Sequence, residues 1–207
     1  AVLIWFSIVG GYIYRLRSSL TKTNAELNRA MVTIEQLAIL DDLTHIYNRR
    51  HIFTIMHHAK ALADRGNTSF SICMLDLDHF KEVNDSLGHM TGDVVLKTIA
   101  QAMQSNIRDA DQIARYGGEE FILVLTSPDI NDARICVERI RRICANLTYP
   151  GLPESFHVTV SAGVAQYQPD ESLDALIFRA DTALYHAKNQ GRNMVSYQPP
   201  FEASPAT

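Results

Sequence analysis

Four acidic residues at two places in the chain could act together: Asp76 and Asp78 in LDLD, and Glu119 and Glu120 in RYGGEEF. Adjacent strand residues point to opposite faces, so Asp76 and Asp78 share a face while Leu77 enters the core. Gly117 and Gly118 stand between apolar runs, the signal of a β-hairpin turn. If that hairpin pairs beside the strand ending in LDLD, one of its glutamates faces Asp76 across a few ångströms. Two facing carboxylates at the edge of a core are unfavourable unless one is protonated or a cation bridges them. A hard divalent ion such as Mg²⁺, ligated by one or two carboxylates and substrate phosphates, resolves the repulsion. That combination is the apparatus of metal-assisted phosphoryl transfer. The glycines then gain a second use, since a turn without Cβ atoms lets a phosphate approach backbone N–H groups. Acids at strand ends and turns are also commonly solvated, and pairing logic alone leaves both readings open.

The elements that must position these acids follow from periodicity. RRHIFTIMHHAKALADRG places Ile52, Ile55, Met56, Ala59 and Leu62 on one helical face, with Gly66 as a stop. SFSICMLDLD (69–78) is a continuous apolar run ending in acids and reads as a central buried strand. GDVVLKTIAQAMQSNI is an amphipathic helix, residues 112–126 form the hairpin, and a further helix runs from about Asn131 to Cys144. FHVTVSAGVA alternates as a strand, LDALIFRADTALYHAKNQG is helical with Gly191 as its stop, and MVSY closes the sheet. This order predicts an α/β (α+β) sandwich with a mixed, largely antiparallel central sheet and surrounding helices, not a doubly wound fold.

The chain has 207 residues with 46% hydrophobic and 20% charged content, enough for one domain with a real core plus an appendage. A net charge of −4 gives no basic footprint, which argues against general nucleic-acid binding. Cys73, Cys136 and Cys144 lack metal-ligand spacing and read as core thiols in a reducing compartment. Residues 1–14, AVLIWFSIVGGYIY, are apolar throughout and precede Arg15 and Arg17. Too short to span a bilayer alone, they read as the C-terminal end of a transmembrane helix with the arginines on the cytoplasmic side. Over 15–40, Leu20, Leu27 and Ile34 continue a seven-residue repeat from Ile13, with Met31 and Ala38 at complementary positions. This reads as a parallel coiled-coil signalling helix that joins two copies of the downstream domain.

Taken together, these residues resemble a GGDEF domain, the diguanylate cyclase family, in its GGEEF form. The resemblance covers roughly 41–198, leaving 199–207 as a disordered tail, and rests on separated motifs in the family's order: DDLTHIYNRR, LDLDHFKEVNDSLGHMTGD, RDADQIARYGGEEF, VTVSAGVA and ADTALYHAKNQGRN. It implies a fold related to the nucleotide cyclases and the polymerase palm. It also implies condensation of two GTP into cyclic di-GMP with release of two pyrophosphates, across a homodimer on a bacterial inner membrane with the catalytic domain in the cytoplasm. By position, Asp76, Glu119 and the Leu77 carbonyl would hold Mg²⁺, or Mn²⁺ in its place, with Glu120 a second ligand or proton acceptor. Asn84 and Asp93 would read guanine, with His89 between them as a further contact or a surface histidine. Gly117 and Gly118 would admit the phosphates, which Lys81, Lys188 and Arg192 would meet. Arg108 and Asp111 fit the family's RxxD product-inhibition motif, and Arg139 would add a contact to bound cyclic di-GMP. His45 departs from the pattern, standing where the family usually has glycine. A catalytically silent receptor for GTP or cyclic di-GMP is the alternative that the complete set of acids argues against.

Overall fold

In this computed structural model, which describes residues 11, 13–24, 27, 31, 39–66, 68–126 and 129–198, the chain divides into two units, 1–38 and 39–207. The second unit runs β1 (Tyr47–Asn48), α1 (Arg49–Ala63), β2 (Ser71–Leu77), α2 (Phe80–Leu87), α3 (His89–Gln104), β3 (Gln112–Arg115), β4 (Glu120–Leu125), α4 (Ile130–Ala145), β5 (Val160–Gln166), α5 (Leu173–Asn189) and β6 (Val195–Tyr197). The strands form one six-stranded sheet in the order β1-β3-β4-β2-β5-β6. Only the outer pairs, β1–β3 and β5–β6, are parallel; the others are antiparallel, so the sheet is mixed and largely antiparallel as expected.

β2 is buried at every position because its two faces enter two different cores. Cys73, Leu75 and Leu77 pack with Val95, Ile99 and Met103 of α3 and Val137 and Ile140 of α4. Ile72 and Met74 face Ile52 and Met56 of α1 and Leu176, Ala180 and Leu184 of α5. Period-2 alternation therefore carries Asp76 to the α1–α5 side, as it carries Leu77 to the other. Helices α1, α4 and α5 begin on side-chain caps: Asn48 accepts from the His51 N–H, Asp129 from the Asn131 N–H and Ser172 from the Ala175 N–H. α5 lies unusually close to β5, since a Cβ at Gly163 would come within 2.1 Å of the Ala180 carbonyl and the Leu184 N–H. Absence of that Cβ seats the helix that ends in the Lys188 region.

Two elements lie outside the sequence reading. α2 is short and polar, FKEVNDSL, and its helical signal is confined to Phe80, Val83 and Leu87 at i, i+3 and i+7. β1 has two residues, too few for any periodicity. β5 starts at Val160 and not at Phe156, because Phe156 packs edge-on against Tyr149 from an irregular segment. Phe80 is buried in the core.

In the first unit the described residues are helical, and Ile13, Leu20, Leu27 and Met31 are exposed on it. Ile34 and Ala38 of the repeat, nearly all of 1–14, and the 199–207 tail lie outside the described residues. The expectation of a membrane-anchored location is corrected: among the described residues no helix is long and apolar enough to cross a membrane. Arg15, Arg17 and Lys22 break the apolar character of the helical residues that follow Gly11.

Candidate active site

Asp76 is one residue from the end of β2, with Glu120 and Ser161 as its cross-strand partners. It is 7% exposed, and Lys188 Nζ from the last turn of α5 lies 2.9 Å from its Oδ1. Burial lifts the Asp76 carboxyl above its ordinary value; the charges of Lys188 and Arg192 oppose that lift, and Asp78 adds to it. At the next residue, the Leu77 N–H donates to the Glu119 carbonyl at 3.3 Å. The Glu119 carboxyl is lifted too, first by burial and then by the charge of Asp76, with Lys188 opposing and Glu120 adding. The hairpin thus pairs beside β2, and the charge of Asp76 acts on the Glu119 carboxyl.

The glycines of the turn serve a purpose other than backbone freedom. Neither Gly117 nor Gly118 takes a positive φ. A Cβ at Gly117 would instead stand 2.4 Å from Glu120 Oε2, whereas one at Gly118 would meet nothing within 4 Å. Gly117 makes room for the Glu120 side chain, and Gly118 leaves the outer side of the turn open.

Arg115 clamps this turn from behind, a role the sequence reading missed. Its Nε and Nη2 donate to the Gly118 carbonyl at 3.1 and 2.7 Å. Its Nη1 reaches Asp41 Oδ1 at 3.3 Å. Asp41 in turn accepts from the Thr44 N–H and Oγ1 at 2.8 and 2.7 Å. Burial raises the Asp41 carboxyl, but the Thr44 hydrogen bonds and the Arg115 charge outweigh it and hold the group below its ordinary value. The DDLT segment is therefore tied to the signature hairpin. Arg49, at the start of α1, stacks 4.6 Å above the Tyr116 ring.

The expected base-reading residues sit on α2 and α3, which meet at Gly88 with φ +83. Asn84 is half-buried, while Lys81, His89 and Asp93 are exposed. Gly92, also missed in the sequence reading, is buried against Asn84: a Cβ there would lie 2.0 Å from Asn84 Oδ1. α2 starts from His79 in the left-handed region and has no side-chain cap bond, which leaves backbone N–H groups at its first turn directed beyond the end of β2.

Asp78 differs from Asp76. It is 5% exposed and its oxygens are taken by Thr159 Oγ1 at 2.7 Å, Ser161 Oγ at 2.6 Å and the Asn193 N–H at 3.0 Å. It anchors the loop after α5, in which Arg192 has φ +63, and so it helps to place Arg192 near Asp76. At the other end of β3, the Asp111 carboxylate accepts from the Thr126 N–H at 3.0 Å and the Arg108 N–H at 3.3 Å. Arg108, Asp111, Cys136 and Arg139 line one small cavity of about 90 Å³, and Arg139 donates to the Asn106 carbonyl at 2.7 Å. The expected RxxD residues and Arg139 therefore converge, although the Asp111 side chain is committed to the turn.

Among the described residues no three or more His, Cys, Asp or Glu side chains form a group that could hold a metal ion. The donor set fits a hard cation that brings its remaining ligands with a polyphosphate. The buried carboxyl of Asp76 and the half-buried carboxyl of Glu119, which the charge of Asp76 makes harder to ionise, are the groups such a cation would relieve.

Fold and site define a class: a palm-like α/β domain in which a central strand and its neighbouring hairpin bring two carboxylates beside a lysine. Residues 38–194 match the family described as "Diguanylate cyclase, GGDEF domain", and the chain belongs to that family. It is 39% identical over 167 residues to diguanylate cyclase A of Treponema denticola, covering 78% of this chain and 44% of that protein. It is 41% identical over 157 residues to diguanylate cyclase DosC of Escherichia coli, covering 75% and 34%. The chain thus spans less than half the length of these relatives. Among solved structures, the coiled coil and GGDEF domain of DgcB from Caulobacter crescentus, in complex with c-di-GMP, superposes with a TM-score of 0.73 at 34% identity, over 88% of this chain and 98% of that one. The active GGEEF domain of a diguanylate cyclase from Vibrio cholerae gives 0.68 at 35% identity, over 74% and 97%.

Proposed function

We propose that this chain condenses two GTP into cyclic di-GMP and two pyrophosphates, each of two facing domains holding one nucleotide. The observation that carries the reading is the Asp76–Glu119 pair, with both carboxyls lifted first by burial, Glu119 lifted further by the charge of Asp76, and Lys188 beside Asp76. Asp76, Glu119 and the Leu77 carbonyl would hold Mg²⁺, for which Mn²⁺ would also serve. When bound, such an ion lowers the pKa of the 3′-hydroxyl and spreads the charge of the pentavalent phosphorus.

The chain's own residues supply the rest. The uncapped first turn of α2, together with Lys81, Lys188 and Arg192, neutralises the triphosphate; Gly118 leaves the turn open to it. Asn84 and Asp93 read the guanine edge, the carboxylate accepting from N1–H and N2–H₂ as adenine would not permit, and His89 flanks them. The 3′-oxygen of one GTP bonds to the α-phosphorus of the other, the bond to the β-phosphate oxygen breaks, and pyrophosphate leaves. Glu120, housed over Gly117, takes the hydroxyl proton. Because each half-site supplies one nucleotide, the reaction needs two copies. The exposed apolar positions of the N-terminal helix, Ile13, Leu20, Leu27 and Met31, support a coiled coil that pairs them. Product binds at Arg108, Asp111 and Arg139 and inhibits.

The test is turnover of GTP with Mg²⁺ by the wild type and by Glu119→Gln at two protein concentrations. The wild type is expected to form cyclic di-GMP at a rate rising faster than linearly with protein, and Glu119→Gln to form none. Undiminished turnover in the variant would overturn the metal assignment, and equal rates with ATP would overturn the guanine assignment.

A further inference from the structure

Arg108 and Asp111 stand in a wall shared by two cavities. The one toward α4 holds about 90 Å³ and includes Cys136 and Arg139. The other, of about 410 Å³, opens toward the loop before β1 and includes His45, Tyr47, Gln104 and Gln112. A dinucleotide with two purines is far larger than the first cavity, while the second falls within the range of small-ligand pockets, about 300–1,000 Å³. Flat rings and side-chain amides are the groups that stack on and hydrogen-bond to a base.

His45 is the unusual member of that lining. Its φ is +58, a region uncommon for residues with a Cβ and least so for Asn, Asp and His. The backbone is held there by the His45 N–H donating to the Asp41 carbonyl at 2.9 Å. The side chain is exposed, and among the described residues its imidazole has no hydrogen-bond or ion-pair partner. A glycine would satisfy the turn without strain, so the fold itself gives no reason for an imidazole at this position.

We propose that the product site is two-lobed: Arg108 holds the cyclic dinucleotide between the lobes, and His45 stacks on the purine that enters the larger one. This rests on the reading that Arg108 binds the product, and it makes His45 a second contributor to product affinity in this chain.

The experiment is calorimetric titration of the full chain with cyclic di-GMP for the wild type, His45→Asn, His45→Gly and Arg108→Ala, with a thermal melt of each. Both His45 replacements tolerate positive φ, and His45→Gly is expected to melt at or above the wild type. Loss of a stacking ring is expected to weaken binding by at least about fivefold in both, and Arg108→Ala to abolish it. Wild-type affinity in both His45 variants, with binding lost in Arg108→Ala, would overturn the second lobe and leave the site standing. Wild-type affinity in Arg108→Ala would overturn the site and its second lobe together.

Discussion

A methyl group added at Gly92 would sit 2.0 Å from Asn84 Oδ1 and 3.1 Å from Phe80 Cζ, closer than non-bonded atoms approach. Oδ1 ends a short side chain that can swing, so Gly92→Ala is relieved by Asn84 moving away and not by the helices parting. To reach 3.0–3.4 Å from the new carbon, Oδ1 must retreat by about 1 to 1.4 Å, which stretches a normal hydrogen bond to a base past its useful range. Losing one or two such bonds costs about 1–3 kcal/mol, or about 5- to 150-fold in the KM for GTP. Alanine is favoured over glycine inside a helix by about 1 kcal/mol, which offsets the small strain, so the melting temperature should barely move. On the proposed reading Asn84 meets the base and not the reacting atoms, so kcat should stay within about twofold. Pyrophosphate release measured across GTP concentrations, with a melt of each protein, reads both quantities. In the Asn84→Ala background, Gly92→Ala should add nothing further. An unchanged KM in a folded Gly92→Ala protein would refute the reasoning, as would a further large loss in the double variant.

Asp78→Ala leaves the Thr159 and Ser161 hydroxyls and the Asn193 N–H without their acceptor. Urea unfolding should show a loss on the order of 3 kcal/mol, and wild-type stability would contradict the anchoring role. Arg115→Lys should lower kcat about tenfold, because a single ammonium cannot span both the Gly118 carbonyl and Asp41 as the guanidinium fork does; steady-state rates equal to the wild type would count against the clamp. The raised Asp76 and Glu119 carboxyls give a pH signature. In each, the folded-state pKa lies above the ordinary value of 3.8 or 4.5, so ionising the groups costs stability. That cost is absent below the ordinary values and grows as pH rises through the folded values. In metal-free melts, the stability advantage of Asp76→Asn over the wild type should therefore be small near pH 4 and larger at pH 7; a difference independent of pH would show that the carboxyl is not perturbed.

The carboxylate argument was legible because it needed only the period-2 alternation of β2 and a hairpin signal, both local. What escaped it depended on approach between distant segments. Arg115 and Asp41 are 74 positions apart, and nothing in either local pattern reports that one guanidinium joins them. Gly92 reads as an ordinary member of an amphipathic helix until Asn84 is found against it. Arg179 lies within the α5 segment with no local sign of its burial, yet it is 1% exposed and paired with Glu171 at 2.6 Å. The two-residue β1 owes its existence to pairing with β3 and not to propensity. The turn glycines read as a hairpin signal, whereas the room that Gly117 makes for the Glu120 side chain shows only in three dimensions.

Lys188 explains how the site tolerates its own acids. Asp76, Glu119 and Glu120 crowd the end of β2 and the turn beside it, and without a neighbouring cation the two partly buried carboxyls would be driven still further toward protonation. Lys188 Nζ, 2.9 Å from Asp76 Oδ1, opposes that drift at both carboxyls. A lysine suits the task better than an arginine. Its ammonium is a compact charge on a flexible stem, and its side chain is about one-third exposed, so it can leave the carboxylate without breaking a bidentate pair. On the proposed reading, nucleotide binding asks for that exchange: the charge that steadies Asp76 is the charge the triphosphate requires once Asp76 turns to a cation. Placement of Lys188 in the last turn of α5, a helix pressed onto β5 at Gly163, fixes the stem and leaves the terminal ammonium free to serve both partners in turn.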